Sequence, residues 1–82
     1  MHYDIAFKPR AIKDLKALTP RERDRNVAKV EGLQDGLTGD VKRLTNFTPE
    51  FRLRVGDYRV LFDVEGGSLV IYRVMHRGEA YR

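Results

Sequence analysis

The stretch Phe51-Arg52-Leu53-Arg54-Val55-Gly56-Asp57-Tyr58-Arg59-Val60-Leu61-Phe62 reads as two strands joined by a two-residue turn. Glycine in the first turn position suits a type II′ hairpin, which needs a positive φ there. So short a loop sets the register: Val55 opposite Tyr58, Arg54 opposite Arg59, Leu53 opposite Val60, Arg52 opposite Leu61. Phe51, Leu53 and Val55 then share a core face with Tyr58, Val60 and Phe62. Arg52, Arg54 and Arg59 share the other face. Like charges directly across a ladder repel, so this register carries a cost that an anionic partner such as phosphate would relieve.

Outward from the hairpin, Tyr3, Ile5 and Phe7 alternate with polar or small residues as in a first strand. Pro9 suits a helix first turn, and Ala11, Ile12, Leu15 and Leu18 form a narrow apolar stripe. Thr19-Pro20-Arg21-Glu22 has the form of a capping box opening a second helix. Val27, Val30, Leu33 and Leu37 would carry its buried face, with Gly36 and Gly39 marking its end. Val41 to Thr45 is a short strand candidate, broken by Thr48-Pro49. Gly66-Gly67 makes a second tight turn, and Ser68 to Met75 returns beside the hairpin. Phe62 should then face Ile71 and Val64 face Leu69 on the core side; Leu61 should face Tyr72, Asp63 face Val70 and Arg59 face Val74 on the other. The order β-αα-βββ implies an α+β fold, a mostly antiparallel sheet with a helical hairpin packed on one face.

The chain has 82 residues, 41% hydrophobic and 34% charged, so residues 1–82 are expected to form one small domain with a single core. It has no cysteine and only two histidines, which excludes disulfides and thiolate metal sites and argues against a zinc site; no cofactor is expected. No apolar run is long enough to span a bilayer and the N-terminus has no signal-like segment, so a cytoplasmic protein without a membrane partner is expected. The net charge of +4 favours an acidic partner. All five lysines precede the hairpin, while from Phe51 onward every basic side chain is arginine, the one that grips phosphate with a planar fork.

The uncovered face should hold Arg52, Arg54, Arg59 and His76, with Leu61, Val70, Tyr72 and Val74 among them. The plain alternative is a solvated basic face, but four exposed apolar residues on so small a protein would mark a partner surface. Arginines with an aromatic on a β surface suit RNA, through phosphates and base stacking. The tail His76-Arg77-Gly78-Glu79-Ala80-Tyr81-Arg82 adds a group titrating near neutrality, two arginines and a phenol. Taken singly, His76 reads as a surface histidine and Tyr81 as a packing residue; their concentration beside the arginines raises the functional reading.

The β-αα-βββ pattern, the Phe51–Val60 motif and the closing His76-Arg77 to Tyr81-Arg82 together resemble the RelE/ParE superfamily of bacterial and archaeal toxins, the RelE branch most closely. The resemblance covers essentially the whole chain. It implies the toxin of a type II toxin–antitoxin pair, a ribosome-dependent and metal-free endoribonuclease that cleaves mRNA in the A site. It also implies partners: a RelB-like antitoxin in a hetero-oligomer, the ribosome and mRNA. Arg52 and Arg54 fall on a basic pair of the third strand, Arg59 on the arginine at the scissile phosphate, Arg77 on the basic residue after the last strand and Tyr81 on a tyrosine that stacks on the base. Well-studied members have lysines where this chain has Arg52 and Arg54, and arginine cannot serve as a base. Many members also continue into a C-terminal helix, whereas this chain stops at Arg82.

In that chemistry the substrate's 2′-hydroxyl is the nucleophile. Arg59 and Arg77 would stabilise the phosphorane, Arg52, Arg54 and Arg82 would hold the backbone, and His76 or Tyr81 would move the proton. Two other readings stand beside it: a ParE-like, non-enzymatic inhibitor of DNA gyrase, and an RNA-binding module without activity.

Overall fold

Apolar alternation builds the sheet, and a local cap starts the second of the two helices packed against it. The computed structural model describes residues 2–79, so the roles expected of Tyr81 and Arg82 lie outside the described residues. The elements run β1 (Asp4–Phe7), α1 (Pro9–Lys16), α2 (Pro20–Glu31), β2 (Val41–Arg43), β3 (Phe51–Val55), β4 (Tyr58–Glu65) and β5 (Ser68–His76). This is the expected order, with the short strand before the hairpin formed as β2. The strands make one sheet, ordered β1-β5-β4-β3-β2 and antiparallel except for the β1–β5 pair. Ala11, Leu15, Val30 and Leu33 from the helical side pack with Leu53, Val55, Val60, Phe62, Leu69, Ile71 and Val74 in one core.

The β3–β4 register is the one its turn dictates, Arg54 opposite Arg59 included. Gly56 takes φ +57° and Asp57 does not adopt a positive φ, as a type II′ turn requires. Thr19 caps α2 by accepting from the Glu22 N–H at 3.3 Å, and Pro20 opens the helix. Such a cap contributes about 1 kcal/mol. α2 ends at Glu31 with Gly32 as its cap residue, one turn short of Gly36. Leu33 is still buried, but from the turn beyond the helix. Ile12 departs from its expected stripe and is exposed, because α1 buries only Ala11 and Leu15.

The second hairpin corrects a larger expectation. β4 and β5 begin in the anticipated register, with Val64 opposite Leu69 and Phe62 opposite Ile71. They then slip by one residue, so that Leu61 faces Arg73, Val60 faces Val74 and Arg59 faces Met75. A β-bulge of this kind re-aims every side chain after it. Val74 therefore enters the core, at 4% exposure. The cause sits on α1. Pairing with β1 stops at Ile71, leaving the outer edge of β5 without a strand beyond it. Asp14 fills that role, accepting from the Val74 N–H at 3.0 Å and from the Arg73 guanidinium at 2.8 and 3.3 Å. Burial pushes the Asp14 carboxyl up, but the Arg73 hydrogen bonds, the Val74 N–H and the charges of Arg73 and Arg10 outweigh it and hold the group below its ordinary value.

Candidate nucleic-acid interface

The uncovered sheet face is polar and largely self-satisfied, without the apolar patch expected of it. Leu61 is 3% exposed, lying opposite an Arg52 whose side chain is itself only 12% exposed. Val74 has gone to the core. Tyr72 donates to Glu65 at 3.0 Å and holds the Lys8 ammonium 5.5 Å above its ring. The arginine stems and the bulge thus remove the exposed surface that unbroken alternation implied.

The repulsion between Arg54 and Arg59 is eased from within. Asp40, just before β2, sets its carboxylate 3.7 Å from Arg52 Nη1 and 3.8 Å from Arg54 Nε. Its carbonyl also accepts from the Arg54 N–H at 2.9 Å. Arg59 turns away, donating through Nη1 to the carbonyls of Gly56 at 3.0 Å and Tyr58 at 2.9 Å. No outside anion is needed for the register to hold.

What remains open is the end of the sheet, at Gly56-Asp57. Arg59 lies on the Gly56 carbonyl. Arg77 donates its backbone N–H to the Asp57 carbonyl at 2.7 Å and brings Nη1 within 3.9 Å of the Asp57 carboxylate. A third arginine arrives from α2: a Cβ built on Gly56 would lie 2.8 Å from Arg25 Nη1 and 2.9 Å from Nη2. Three guanidinium groups, from β4, from α2 and from just beyond β5, therefore meet one two-residue turn, with Arg54 directly across from Arg59. Such a gathering of cations, balanced among the described residues by Asp57 and Asp40, is chemically suited to phosphate.

His76 stands at this end but on the helix side. The bulge places it opposite Tyr58, with the two rings edge to face at 5.7 Å. It is exposed and borders an open groove of about 390 Å³ with Tyr58, Arg10, Asp14 and Glu79. Its expected position among Arg52, Arg54 and Arg59 on the uncovered face is therefore corrected. Nδ1 accepts from the Gly78 N–H at 3.4 Å. Arg59, Arg77, Arg54 and His76 thus share one end of the sheet, while Arg52 recedes into it. Arg25, Asp40 and Asp57 are the participants that sequence reasoning missed. Among the described residues no group of His, Cys, Asp or Glu could hold a metal ion, and no helix is long and apolar enough to cross a membrane.

Comparison with known proteins agrees with this architecture. The family described as the ParE toxin of type II toxin–antitoxin system, parDE, matches residues 5–81. Toxin RelE3 of Methanocaldococcus jannaschii is 30% identical over 82 residues, covering 94% of this chain and 93% of that protein. The chain belongs to the RelE/ParE superfamily of toxins. Within the superfamily its named relatives lie on the RelE branch. The RelBE2 toxin–antitoxin complex of Mycobacterium tuberculosis matches with a TM-score of 0.81 and 30% identity, over 96% of this chain and 95% of that one. The archaeal RelE–RelB complex of Pyrococcus horikoshii matches with a TM-score of 0.80 and 25% identity, over 98% and 100%.

Proposed function

We propose that this toxin is a ribosome-dependent endoribonuclease that cleaves mRNA in the A site and is held inactive by a RelB-like antitoxin. The observation that carries the reading is the convergence of Arg59 and Arg77 on the Gly56-Asp57 turn, with His76 beside Arg77. The RelE relatives solved as complexes with RelB support the partner. In the reaction, the 2′-hydroxyl oxygen attacks the adjacent phosphorus and the bond to the 5′-oxygen breaks, leaving a 2′,3′-cyclic phosphate. A base takes the 2′-hydroxyl proton and an acid supplies one to the departing 5′-oxygen. Arg59 and Arg77 neutralise the charge that builds on the phosphorane oxygens, and Arg54 steadies the neighbouring backbone. His76 exchanges the proton, and Tyr81 stacks on the base. Arg52 and Arg82 complete the set of backbone contacts in this reading. The ribosome supplies the in-line geometry that so sparse a site does not impose by itself.

Cell-free translation with primer extension on the message tests this directly. Codon-spaced truncations that appear only with ribosomes and vanish on adding the antitoxin are the expected result. The ParE name of the matching family favours one second reading, a non-enzymatic gyrase inhibitor. Intact messages together with blocked supercoiling by purified gyrase would establish that reading instead. The role of His76 is read from single-turnover rates. A pH limb that rises and is lost in His76→Gln makes the imidazole the base, and one that falls and is lost makes it the acid. A flat profile with a severe Tyr81→Phe defect transfers the role to the phenol.

A further inference from the structure

Arg25 is the one guanidinium at the turn that the reaction above does not use. It lies so close to Gly56 that any side chain there would strike it, at 2.8 to 3.0 Å from three of its atoms. Gly56 thus supplies the positive φ of the turn and also lets the flexible end of Arg25 lie against it, and the second has no bearing on the hairpin. Arg59 and Arg77 each bond a protein acceptor at this turn, whereas Arg25 makes no ion pair or side-chain hydrogen bond among the described residues. Its neighbour on the helix differs: Arg23 donates to the carbonyls of Leu15 and Leu18.

Arg25 also continues a row. Arg21, Arg25 and Lys29 recur every fourth residue on α2, and all three are exposed. Steps of four residues advance about 6 Å along the helix and drift only about 40° around it, so the cations stand in file. Like charges at this spacing are mutually destabilising, and none of the three has an acidic partner among the described residues. The nearest acids on the helix, Glu22 and Asp24, form no ion pair with them. The rise per step matches the scale on which phosphates follow one another along a nucleic-acid strand. Through Arg25 the row is continuous with the Gly56-Asp57 turn, which favours a strand already seated at that turn.

We propose that Arg25, followed by Arg21 and Lys29, forms a run of RNA phosphate contacts on α2 that is continuous with the Gly56-Asp57 turn. The run rests on the reading of that turn as an RNA site and extends it from the sheet end onto the helix. The phosphates belong either to the message or to ribosomal RNA, and the two sources are separable.

Binding of a short single-stranded RNA, and of ribosomes carrying no message, is measured across a salt series for wild type, Arg25→Gln, Arg25→Lys and Arg43→Gln. For Arg25→Gln the expected loss is about tenfold in affinity, with the slope of log affinity against log salt reduced by about 0.7. Arg25→Lys keeps the slope. Arg43→Gln, at an exposed arginine paired with Glu50, leaves both quantities unchanged. A defect seen with the oligonucleotide assigns the row to the message, and one confined to ribosomes assigns it to ribosomal RNA. An unchanged slope for Arg25→Gln in a toxin that still cleaves overturns this proposal alone. A defect confined to antitoxin affinity overturns it in favour of an acidic protein partner. Wild type without salt-dependent binding to either RNA overturns it together with the nuclease reading.

Discussion

Arg73 and Arg77 stand four positions apart at the end of β5, each beside an aspartate, and the two pairs behave oppositely. Arg73 grips Asp14 at 2.8 Å with side-chain exposures of 28% and 12%, and the same carboxylate takes the Val74 N–H. Arg77 stands 3.9 Å from Asp57 with exposures of 62% and 68%. The first carboxylate is spent on the fold: it caps a strand edge, stabilises a bulge and ties α1 to β5. The second only neighbours its arginine, and a phosphate can displace it at little cost. Residue type alone does not separate a structural arginine from a functional one. The separation lies in how many donors the carboxylate serves and how dry the pair is.

The largest effect that tests this contrast is on catalysis. Arg59→Ala or Arg77→Ala should lower ribosome-dependent cleavage by roughly a hundredfold to a thousandfold while leaving the melting temperature nearly unchanged. Removing Arg59 also removes the like charge facing Arg54. A folded Arg59→Ala toxin that still arrests growth would refute the phosphate role.

Next in size is the buried pair. Asp14→Ala leaves the Arg73 guanidinium and the Val74 N–H without their acceptor, and should cost about 2–4 kcal/mol in urea unfolding. The cleavage rate per folded molecule should stay the same. The pH dependence has a definite sign. Asp14 titrates below its ordinary value in the folded chain, so its contribution is fully present above about pH 4 and is lost as acid protonates it below that. Melting temperatures should therefore fall below about pH 4, more steeply in wild type than in Asp14→Asn. Equal acid slopes for the two proteins would remove Asp14 from the account.

A smaller difference separates Arg52 from Arg54. Arg52 is nearly buried opposite Leu61, and its Nε has no hydrogen-bond partner. Arg52→Ala uncovers Leu61 and should cost about 1–2 kcal/mol. Arg52→Met keeps the stem and removes the unpaired N–H, so it should be close to neutral. Arg54→Ala should change stability by no more than about 0.5 kcal/mol and act mainly on RNA affinity. Two equally costly alanine variants would mean that Arg54 is structural as well.

These residues also mark where sequence reasoning succeeds. The β3–β4 hairpin was legible because a two-residue turn leaves one register, and a one-residue slip would have put Leu53 and Val55 in water. The Thr19-Pro20-Glu22 start was legible because its capping is local. The bulge was not, since Val70, Tyr72 and Val74 alternate without a break and what shifts them is Asp14, far away in the chain. Its consequences travelled: Val74 and His76 changed faces, and the expected apolar patch disappeared. Gly32 was passed over because Leu33 and Leu37 continue the helical period beyond the helix itself. Arg25 left no signal, because the turn type already accounted for a glycine at position 56. Residues whose roles depend on contacts between distant elements are the ones that periodicity cannot reach.

The smallest effect examines the open pair itself. Asp57→Asn keeps the shape of the second turn residue and removes the carboxylate beside Arg77. At 3.9 Å and well exposed, that pair contributes no more than about 0.5 kcal/mol, so thermal stability should hardly move. Phosphate binding should respond in the other direction. The carboxylate competes with phosphate for Arg77 and repels it, so its removal should strengthen binding to a short RNA about threefold, a shift the size of an exposed ion pair. The gain should shrink as salt is added, since screening weakens the repulsion that was removed. A loss of affinity would mean that Asp57 holds Arg77 in position for the phosphate, as Asp14 holds Arg73 for the fold, and the contrast between the two pairs would become one of degree.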